Sequence, residues 1–426
     1  MTSLLLDLDR VKAEAQTAIA RCRQLSSFSE QPGRTIRTFL SAPMRDCHRE
    51  IAKWIEPLGV EIRIDAAGNF RAFYAAAEPH APRLLLGSHL DTVPDAGAFD
   101  GVLGVVLSVA LLDSLRGERL PFAIEIVGFS EEEGVRFGTP FIGSRALVGR
   151  LDEEVLSRKD ARGVSVREAI ENFGLNPSQI PDARLEGEIL GFIEFHIEQG
   201  PVLDELGLPL GVVEAIAGQS RSELTFLGRA NHAGATPMHR RSDAIAGAAE
   251  WITAVEREAQ RMPGLVATVG KVGAIPGVTN VIAGEAQVSL DVRHRADAVR
   301  VGAVENLIRL AEEIASRRGL SVRHSTPQSQ PSVLMDSILA SQVEEAVRRS
   351  GCVPRRCVSG AGHDAMILAE QVPTAMIFLR TPGGISHSPQ ESVNPQDVEK
   401  AIEAGLHLLD LLASSPAERE RKMQRA

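Results

Sequence analysis

The sequence has few cysteines, few aromatic residues and no long apolar run. Its four cysteines are scattered through 426 residues without a C-x-x-C pair, which favours reduced thiols in the cytoplasm over a disulfide framework. The longest nearly apolar helix expected, at 102–112, is too short to span a bilayer. Residues 1–10 carry acids within their apolar stretch and no basic leader, so a secretory signal is not expected either.

A surplus of positive charge is also lacking. Acidic residues outnumber basic ones by 56 to 46, which gives a formal net charge of −10. Because nucleic-acid binding needs a basic stripe and none is found, no nucleic-acid partner is expected. The tail at 418–425 alternates charges and is expected to be solvated. The remaining composition, 44% hydrophobic and 24% charged, is typical of a globular enzyme with two to three domains.

The most informative segment is GSHLDTVP at 87–94, which is followed by FDG at 99–101. An apolar strand precedes it and an apolar helix follows it, so His89 and Asp100 fall in loops at a strand end, where α/β sheets build their sites. Asp91 lies two residues beyond the histidine, where its carboxylate could accept the second ring N–H and orient the imidazole. A His-x-Asp pair alone is a weak signal.

Three further acids and two further histidines strengthen this signal. A second apolar strand ends in Glu131, Glu132 and Glu133, which repel one another unless water or cations intervene. His196 interrupts the apolar run GFIEFHIEQG, and His387 lies in GGISHSP near the C-terminus. Each alone could be a solvated turn or a satisfied core residue. Together with the first segment they form a nitrogen and oxygen donor set without thiolate, which suits zinc, manganese, cobalt or nickel.

Seven motifs in a fixed order resemble those of the dinuclear metal amidohydrolases related to aminoacylases and carboxypeptidases. They are GSHLDTVP with FDG, SEEEGVRF, FHIEQGPVL, ANHAGATPM, TNVIAGE with DVRH, SGAGHDAM, and GGISHSP. Within that superfamily they are most similar to the hydantoinase and carbamoylase branch, which contains allantoate amidohydrolases, N-carbamoyl-L-amino-acid hydrolases and β-ureidopropionases. The resemblance spans the chain from Thr35 to Leu412.

The resemblance implies that five side chains hold two divalent metal ions: His89 and His196 on one, Glu133 and His387 on the other, and a bridging Asp100. In the family pattern the acid directly before glycine binds metal and the acid before it is the catalytic base, which assigns catalysis to Glu132. Glu131 is left as a solvated or supporting carboxylate. The expected cofactors are therefore two ions of zinc, manganese, cobalt or nickel per subunit.

The resemblance also implies a second set of residues that bind substrate or assist catalysis: Gln199, His232, Asn280, Arg293, Gly362 and His363. Asn280 and Arg293 would hold the substrate carboxylate, which an arginine fork can bind in bidentate fashion. His232 would donate to the developing oxyanion, although a histidine in such a turn can equally bond only its own backbone. Gln199 would bind the amide or ureido group.

The pattern of elements predicts an α/β fold with two domains. Alternating strands and helices indicate a mixed sheet flanked by helices, and the longer strands with two helices at 212–327 indicate an inserted two-layer α+β domain. The Pro- and Ser-rich segment 325–332 is predicted to be the return linker. Because His387 follows the insertion and the other ligands precede it, the catalytic domain must be discontinuous, with parts 1–211 and 328–426.

The resemblance adds a role for the inserted domain. In this family it forms a lid that closes over the metals, which implies hinge motion during turnover. It also mediates a homodimer, and some of its residues act across to the partner's site. Whether His232 and Asn280 serve their own or the partner's site is open.

Several functions remain open as well. The motifs favour an allantoate amidohydrolase that releases ammonia from a small ureido carboxylate, followed by an N-carbamoyl-L-amino-acid hydrolase and then a β-ureidopropionase or amide-conjugate hydrolase. A peptidase of the parent superfamily is disfavoured because those enzymes usually have a carboxylate where His196 stands. A binding protein without catalysis is disfavoured by the complete ligand set and by Glu132.

Overall fold

The computed structural model describes residues 7–414. The predicted solvated tail at 418–425 and the start of the N-terminal segment, at 1–6, lie outside the described residues. The helices are α1 (Leu8–Ser26), α2 (Ala42–Ile55), α3 (Val102–Leu115), α4 (Ile142–Leu147), α5 (Glu153–Ser157), α6 (Val166–Phe173), α7 (Val202–Leu206), α8 (Ala244–Arg261), α9 (Asp297–Arg317), α10 (Ser337–Arg349), α11 (Asp364–Leu368) and α12 (Pro395–Ala413). Within 7–414, no helix combines the length and apolarity needed to cross a membrane.

The strands are β1 (Glu61–Ile64), β2 (Phe70–Tyr74), β3 (Arg83–His89), β4 (Ala123–Phe129), β5 (Ile189–Ile197), β6 (Leu210–Ile216), β7 (Gly218–Leu227), β8 (Asn231–His232), β9 (Val266–Thr268), β10 (Val272–Ile275), β11 (Val281–Ile282), β12 (Glu285–His294), β13 (Ser321–Gln330), β14 (Val333–Leu334), β15 (Arg356–Ser359) and β16 (Thr374–Leu379). The expected fold class is confirmed: a mixed sheet flanked by helices, and a two-layer α+β unit.

The chain divides into two compact units. The first comprises the chain up to Glu214, Met335–Cys357 and the chain from His363 on, and the second comprises Ala215–Leu334 and Val358–Gly362. The insertion in the structure therefore runs from 215 to 334, whereas the sequence predicts 212 to 327. A five-residue segment after the insertion also belongs to the second unit.

The first unit is built on a mixed sheet with a parallel centre. Its strands lie in the order β1-β2-β4-β3-β5-β16-β6. β3 runs parallel to β4 and β5, and β16 runs parallel to β5, whereas β1, β2 and β6 are joined antiparallel. The four central strands are buried along nearly their whole length, as expected for parallel strands covered on both faces. Their carboxyl ends lie at one edge, which brings the following loops together.

Helices cover both faces of this sheet. α3 is buried along almost all of its length and packs with α1 and α12, and α12 packs with α10, on the face toward which Phe195 of β5 points. The neighbouring residue, Glu194, points to the opposite face because side chains alternate along a strand. There it accepts a hydrogen bond from the main-chain N–H of Ala365 in α11, at 3.0 Å.

The second unit has a five-stranded antiparallel sheet with two helices packed on it. The strand order is β10-β12-β7-β13, and β9 also pairs with β12. Burial alternates along β7 and β12, so one face of the sheet meets α8 and α9. Trp251 of α8 is fully buried in this core and donates from Nε1 to the carbonyl oxygen of Leu307 at 2.8 Å.

One sequence prediction in this unit is wrong. The segment expected as a return linker continues β13 to Gln330. The strand is exposed and lies at the sheet edge, and Pro327 falls where the register shifts, between Ser325 and Gln328, so its missing N–H costs no ladder bond.

Gly104 allows α3 to approach the sheet closely. A Cβ at this position would lie 2.2 Å from the carbonyl oxygen of Phe195 and 2.7 Å from the Cβ of Ser88. Neither atom can move by side-chain rotation, because one belongs to the main chain of β5 and the other is attached directly to that of β3. The crossing of helix and sheet thus depends on a glycine.

We expect Gly104→Ala to destabilise the first unit by about 1–3 kcal/mol through overpacking, although alanine is the better helix former by about 1 kcal/mol. Gly302→Ala in α9 is the matched control, since nothing lies within 4 Å of its added Cβ. It should stabilise the chain by about 0.5–1 kcal/mol. Thermal unfolding of both variants measures the direction of each change in stability. A raised Tm for Gly104→Ala would contradict the close approach of α3 to the sheet.

Candidate metal centre

The expected metal ligands lie at the edge of the sheet where the parallel strands end. His89 is the last residue of β3, and His196 is the last but one of β5. Glu133 follows β4, His387 follows β16, and Asp100 precedes α3 in the loop after β3. The fold therefore brings together side chains that are almost 300 positions apart in the sequence.

Two groups of possible ligands share Asp100. The ligand atoms of His89, Asp100 and His196 lie within 4.8 Å of one another, as do those of Asp100, Glu133 and His387. In the first group the Nε2 of His196 is 3.4 Å from Oδ1 of Asp100. In the second, the Nε2 of His387 is 3.1 Å from Oδ2 of Asp100 and 3.5 Å from Oε1 of Glu133. Asp100 thus presents one oxygen to each group, as a bridging carboxylate must.

Hydrogen bonds orient the two buried imidazoles. The Nδ1 of His196 is 2.9 Å from the carbonyl oxygen of Ile197, and the Nδ1 of His89 is 3.0 Å from the carbonyl oxygen of Asp91. Because a carbonyl only accepts, each Nδ1 carries the proton and each Nε2 directs a lone pair toward the centre. This is the tautomer that binds a metal ion through Nε2.

The carboxylate of Asp91, expected to take the imidazole proton, lies 3.5 Å from that Nδ1. Its two oxygens also accept hydrogen bonds from the main-chain N–H groups of Glu132 and Glu133, at 2.9 and 3.0 Å. Glu131 is fully buried and accepts from the N–H of Phe39 at 3.1 Å, so it supports the loop and is not solvated. Asp91 therefore positions the two acids that follow β4.

Burial dominates the electrostatics of the centre. It raises the pKa of Glu132 well above the usual range and the pKa of Glu133 to about 7, and it lowers the pKa of His196 to about 4. Burial also acts to raise the pKa of Asp100, but the hydrogen bond from His387 and the nearby imidazoles outweigh it and lower the pKa. Divalent cations at this position would favour the charged forms of Glu132 and Glu133, whose ionisation burial opposes.

Two of the expected substrate residues contact metal ligands. The Nε2 of Gln199 lies 3.0 Å from Oδ1 of Asp100 and 3.4 Å from Nε2 of His387. His363 is only 1% exposed, and its ring packs against that of His196 with 4.4 Å between centroids. Because a buried ring cannot line an open pocket, the contacts of His363 fit support of a ligand and not the expected contact with substrate.

The other expected substrate residues belong to the second unit. His232 in β8 pairs with Val281 of β11, directly after Asn280, and the carbonyl of Asn280 accepts from the N–H of Ala233 at 2.9 Å. The exposed ring of His232 accepts at Nδ1 from the N–H groups of Gly234 and Ala235, both at 3.1 Å. Its proton is therefore on Nε2, which faces away from these bonds.

One edge of the Arg293 guanidinium donates hydrogen bonds to Asp291, which lies in the same strand. Its Nε and Nη2 donate to the two oxygens of Asp291 at 2.9 and 3.0 Å, and its Nη1 donates to the carbonyl of Gly360 at 2.6 Å. Asp291 also accepts from Gln219 at 2.6 Å. Gly362 lies in the same short segment as Gly360, at 358–362, which belongs to the second unit.

Sequence reasoning missed two buried acids beside the ligands. Glu194, alone in an apolar strand, accepts from the hydroxyl of Ser88 at 2.7 Å and so joins β5 to β3. Glu391 accepts from the N–H of Asp100 at 3.0 Å. A signal for the first was available, since Glu194 lies two residues before His196 and therefore on the same face of the strand. Glu391 lies in an irregular loop and had no such signal.

Comparisons with known proteins identify the family of the chain. The family model for peptidase family M20/M25/M40 matches residues 85–411. The chain is 35% identical to allantoate deiminase 2 of Glycine max, over 93% of this chain and 89% of that protein. It is 38% identical to an N-carbamoyl-L-amino acid amidohydrolase of Geobacillus stearothermophilus, over 92% of this chain and 97% of that protein.

A solved structure is similar over nearly the whole chain. It is an amidase of the hydantoinase/carbamoylase family from Burkholderia multivorans, with a TM-score of 0.89 and 32% identity, covering 94% of this chain and 98% of the other. The chain belongs to peptidase family M20/M25/M40, as the motifs indicated. Within that family it is an amidohydrolase, a hydrolase of carbon–nitrogen bonds other than peptide bonds.

Divalent cations added to the metal-free chain are expected to raise its Tm, because a ligand that binds only the folded state stabilises it by about 2.7 kcal/mol at 100 times its Kd. Asp100→Asn, which weakens both donor groups, should remove most of the rise. His80→Asn changes an exposed histidine of the same unit and should leave it intact. Thermal scans with chelator and then with Zn²⁺, Mn²⁺ or Co²⁺ measure this, and a Tm indifferent to cations would rule out the centre.

Proposed function

We propose that this chain hydrolyses a carbamoyl C–N bond in a small ureido carboxylate, that allantoate is its preferred substrate, and that it uses two divalent cations per subunit, of zinc, manganese, cobalt or nickel. The observation that carries the proposal is the pair of donor groups that share Asp100. The allantoate deiminase among the relatives, 35% identical over 93% of the chain, supports the choice of substrate.

In the proposed mechanism Glu132 moves the proton. Cations at the two groups would supply Lewis acidity, which lowers the pKa of a water molecule from about 15.7 toward neutrality. Glu132 lies beside this position, with a carboxylate oxygen within 4.8 Å of the ligand atoms of His89 and Glu133. It accepts a proton from the attacking water and delivers it to the nitrogen that departs when the C–N bond breaks. Such proton transfer typically contributes about 10²–10⁴-fold to the rate.

Arg293 is proposed to bind the carboxylate of the substrate. The salt bridge to Asp291 occupies Nε and one N–H of Nη2, which fixes the plane of the guanidinium. Nη1 and Nη2 each retain a second N–H, and this pair can bind a carboxylate in bidentate fashion. The role of Asp291 in this proposal is to preorganise the fork, because a guanidinium already held in one plane loses less entropy on binding.

His232 and Asn280 are proposed to act beside the reacting carbon. The proton on Nε2 makes His232 a donor for the developing oxyanion, since its Nδ1 accepts from two main-chain N–H groups. Asn280 directly precedes Val281, which pairs with His232 in the short β8–β11 ladder, and would add an amide donor. Gln199 and Gly362 would complete the substrate contacts.

The second unit is also proposed to mediate a homodimer. Its edge strand β10 exposes Val272 and Ile275, and Val266 of β9 is exposed as well. Exposed apolar side chains on an edge strand favour pairing with a second chain. A cytoplasmic location is proposed with it, consistent with four free cysteines.

An N-carbamoyl-L-amino acid is the second candidate substrate. The Geobacillus relative that acts on this class is 38% identical to the chain, slightly more than the allantoate deiminase. Both substrates combine a carbamoyl nitrogen with a carboxylate, so the same clamp and donor groups serve either one. The side chain of the substrate is the part that differs.

Glu132→Gln is expected to lower kcat by at least about 10²-fold while both cations stay bound, because an amide cannot shuttle a proton. Glu133→Gln is the matched variant at the adjacent position, and it should lower the metal content instead. Metal analysis and steady-state kinetics on the two variants separate the roles. If Glu132→Gln lost metal and Glu133→Gln kept both cations, the proposed roles of the two glutamates would have to be exchanged.

The substrate assignment predicts the order of kcat/KM across a panel. Ammonia release from allantoate and from several N-carbamoyl-L-amino acids is measured on the wild-type enzyme under one metal condition, with the carbamate product allowed to decompose fully. Allantoate should have the highest value. A carbamoyl amino acid turned over at least about tenfold more efficiently, equal to about 1.4 kcal/mol in transition-state binding, would transfer the assignment to the second candidate.

A further inference from the structure

The two donor groups differ in how their histidines are held. His89 and His196 lie on β3 and β5, are buried, and are oriented by main-chain carbonyls. His387 lies in the loop between β16 and α12, and its side chain is 49% exposed. Its φ of 53° is in the left-handed region, which is strained for a residue other than glycine. The position of His387 therefore depends on contacts within its loop.

Glu391 supplies such contacts and extends them to Asp100. Its Oε1 accepts from the main-chain N–H groups of Phe99 and Asp100 at 2.8 and 3.0 Å. Its Oε2 is 3.1 Å from the hydroxyl of Ser386, the residue before His387. One buried carboxylate thus joins the loop that carries the shared ligand to the loop that carries the exposed one.

Glu391 packs closely against the loop that carries Asp100. The side chain is 6% exposed, and a Cβ at Gly97 would lie 2.4 Å from both its Cβ and its Oε1. Its own N–H donates to the carbonyl of Ser388 at 3.0 Å, which closes the turn directly after His387. Glu391 has little freedom to leave this position, so one fixed carboxylate positions both loops.

We propose that Glu391 is a positioning residue that holds Asp100 and His387 at the spacing needed by the cation of the Asp100–Glu133–His387 group. The inference rests on the proposed two-cation centre. Metal ligands must be held to within about 0.5 Å, and loss of a group that orients them typically lowers metal affinity about 10–100-fold. The other group keeps two histidines on strands, so the effect falls mainly on one of the two cations.

The test is calorimetric titration of the metal-free chain with Mn²⁺ or Zn²⁺. Wild type should bind two cations. Glu391→Leu keeps the volume and removes the acceptors, and it should bind one cation about 10–100-fold more weakly. The other cation, whose group shares Asp100 but keeps two histidines on strands, should lose much less affinity. Glu391→Gln, which retains an oxygen for the two N–H groups, should restore the second affinity to within a few fold. Glu403→Leu is the control, a buried acid on α12 that pairs with Lys400, and both affinities should be unchanged.

The outcomes separate the inference from the proposed function. If wild type binds fewer than two cations, the proposed centre fails and the inference fails with it. If wild type binds two and Glu391→Leu binds both as tightly, or loses both equally, only the role of Glu391 is overturned. Should Glu391→Leu not fold, as judged by the Tm of the metal-free chain, Ser386→Ala removes a single bond to Glu391. It should weaken the second cation alone, and an unchanged titration would overturn the inference.

Discussion

Buried carboxylates cannot remain ionised side by side without positive charge close to them, and the first unit is organised around this constraint. Asp100, Glu132 and Glu133 meet at the edge where four parallel strands end, and burial opposes the ionisation of both glutamates. Main-chain N–H groups stabilise some of the neighbouring acids, as at Asp91. Imidazole lone pairs complete a donor set for which divalent cations are the natural complement.

The rest of the unit keeps these groups in register. The strands place His89 and His196 side by side, with Nε2 atoms 3.5 Å apart. Glu194 joins β3, β5 and α11 through a hydroxyl and a main-chain N–H. A glycine at the helix crossing lets α3 lie against the sheet. These features fix the strands that carry His89 and His196, whereas Asp100, Glu133 and His387 lie in the loops that follow strands.

Much of the fold and of the candidate site could be predicted from the sequence, because acids and histidines directly after apolar strands lie at the carboxyl edge of an α/β sheet. The ordered motifs then identified the family, and the comparisons confirm it. What could not be predicted depends on tertiary contacts: the hydrogen bonds of Glu391 to a loop nearly 300 residues away, and the packing of His363 behind His196. The polar segment 325–330 was misassigned because an exposed edge strand carries no apolar pattern.

If two cations share Asp100, anomalous X-ray diffraction from crystals grown with Mn²⁺ or Zn²⁺ should show two peaks. We expect one beside His89 and His196 and one beside Glu133 and His387, with an oxygen of Asp100 next to each. Two-metal hydrolytic sites typically have about 3.5–4 Å between the ions. A single peak, or a second peak away from His387, would show that Asp100 does not bridge two cations.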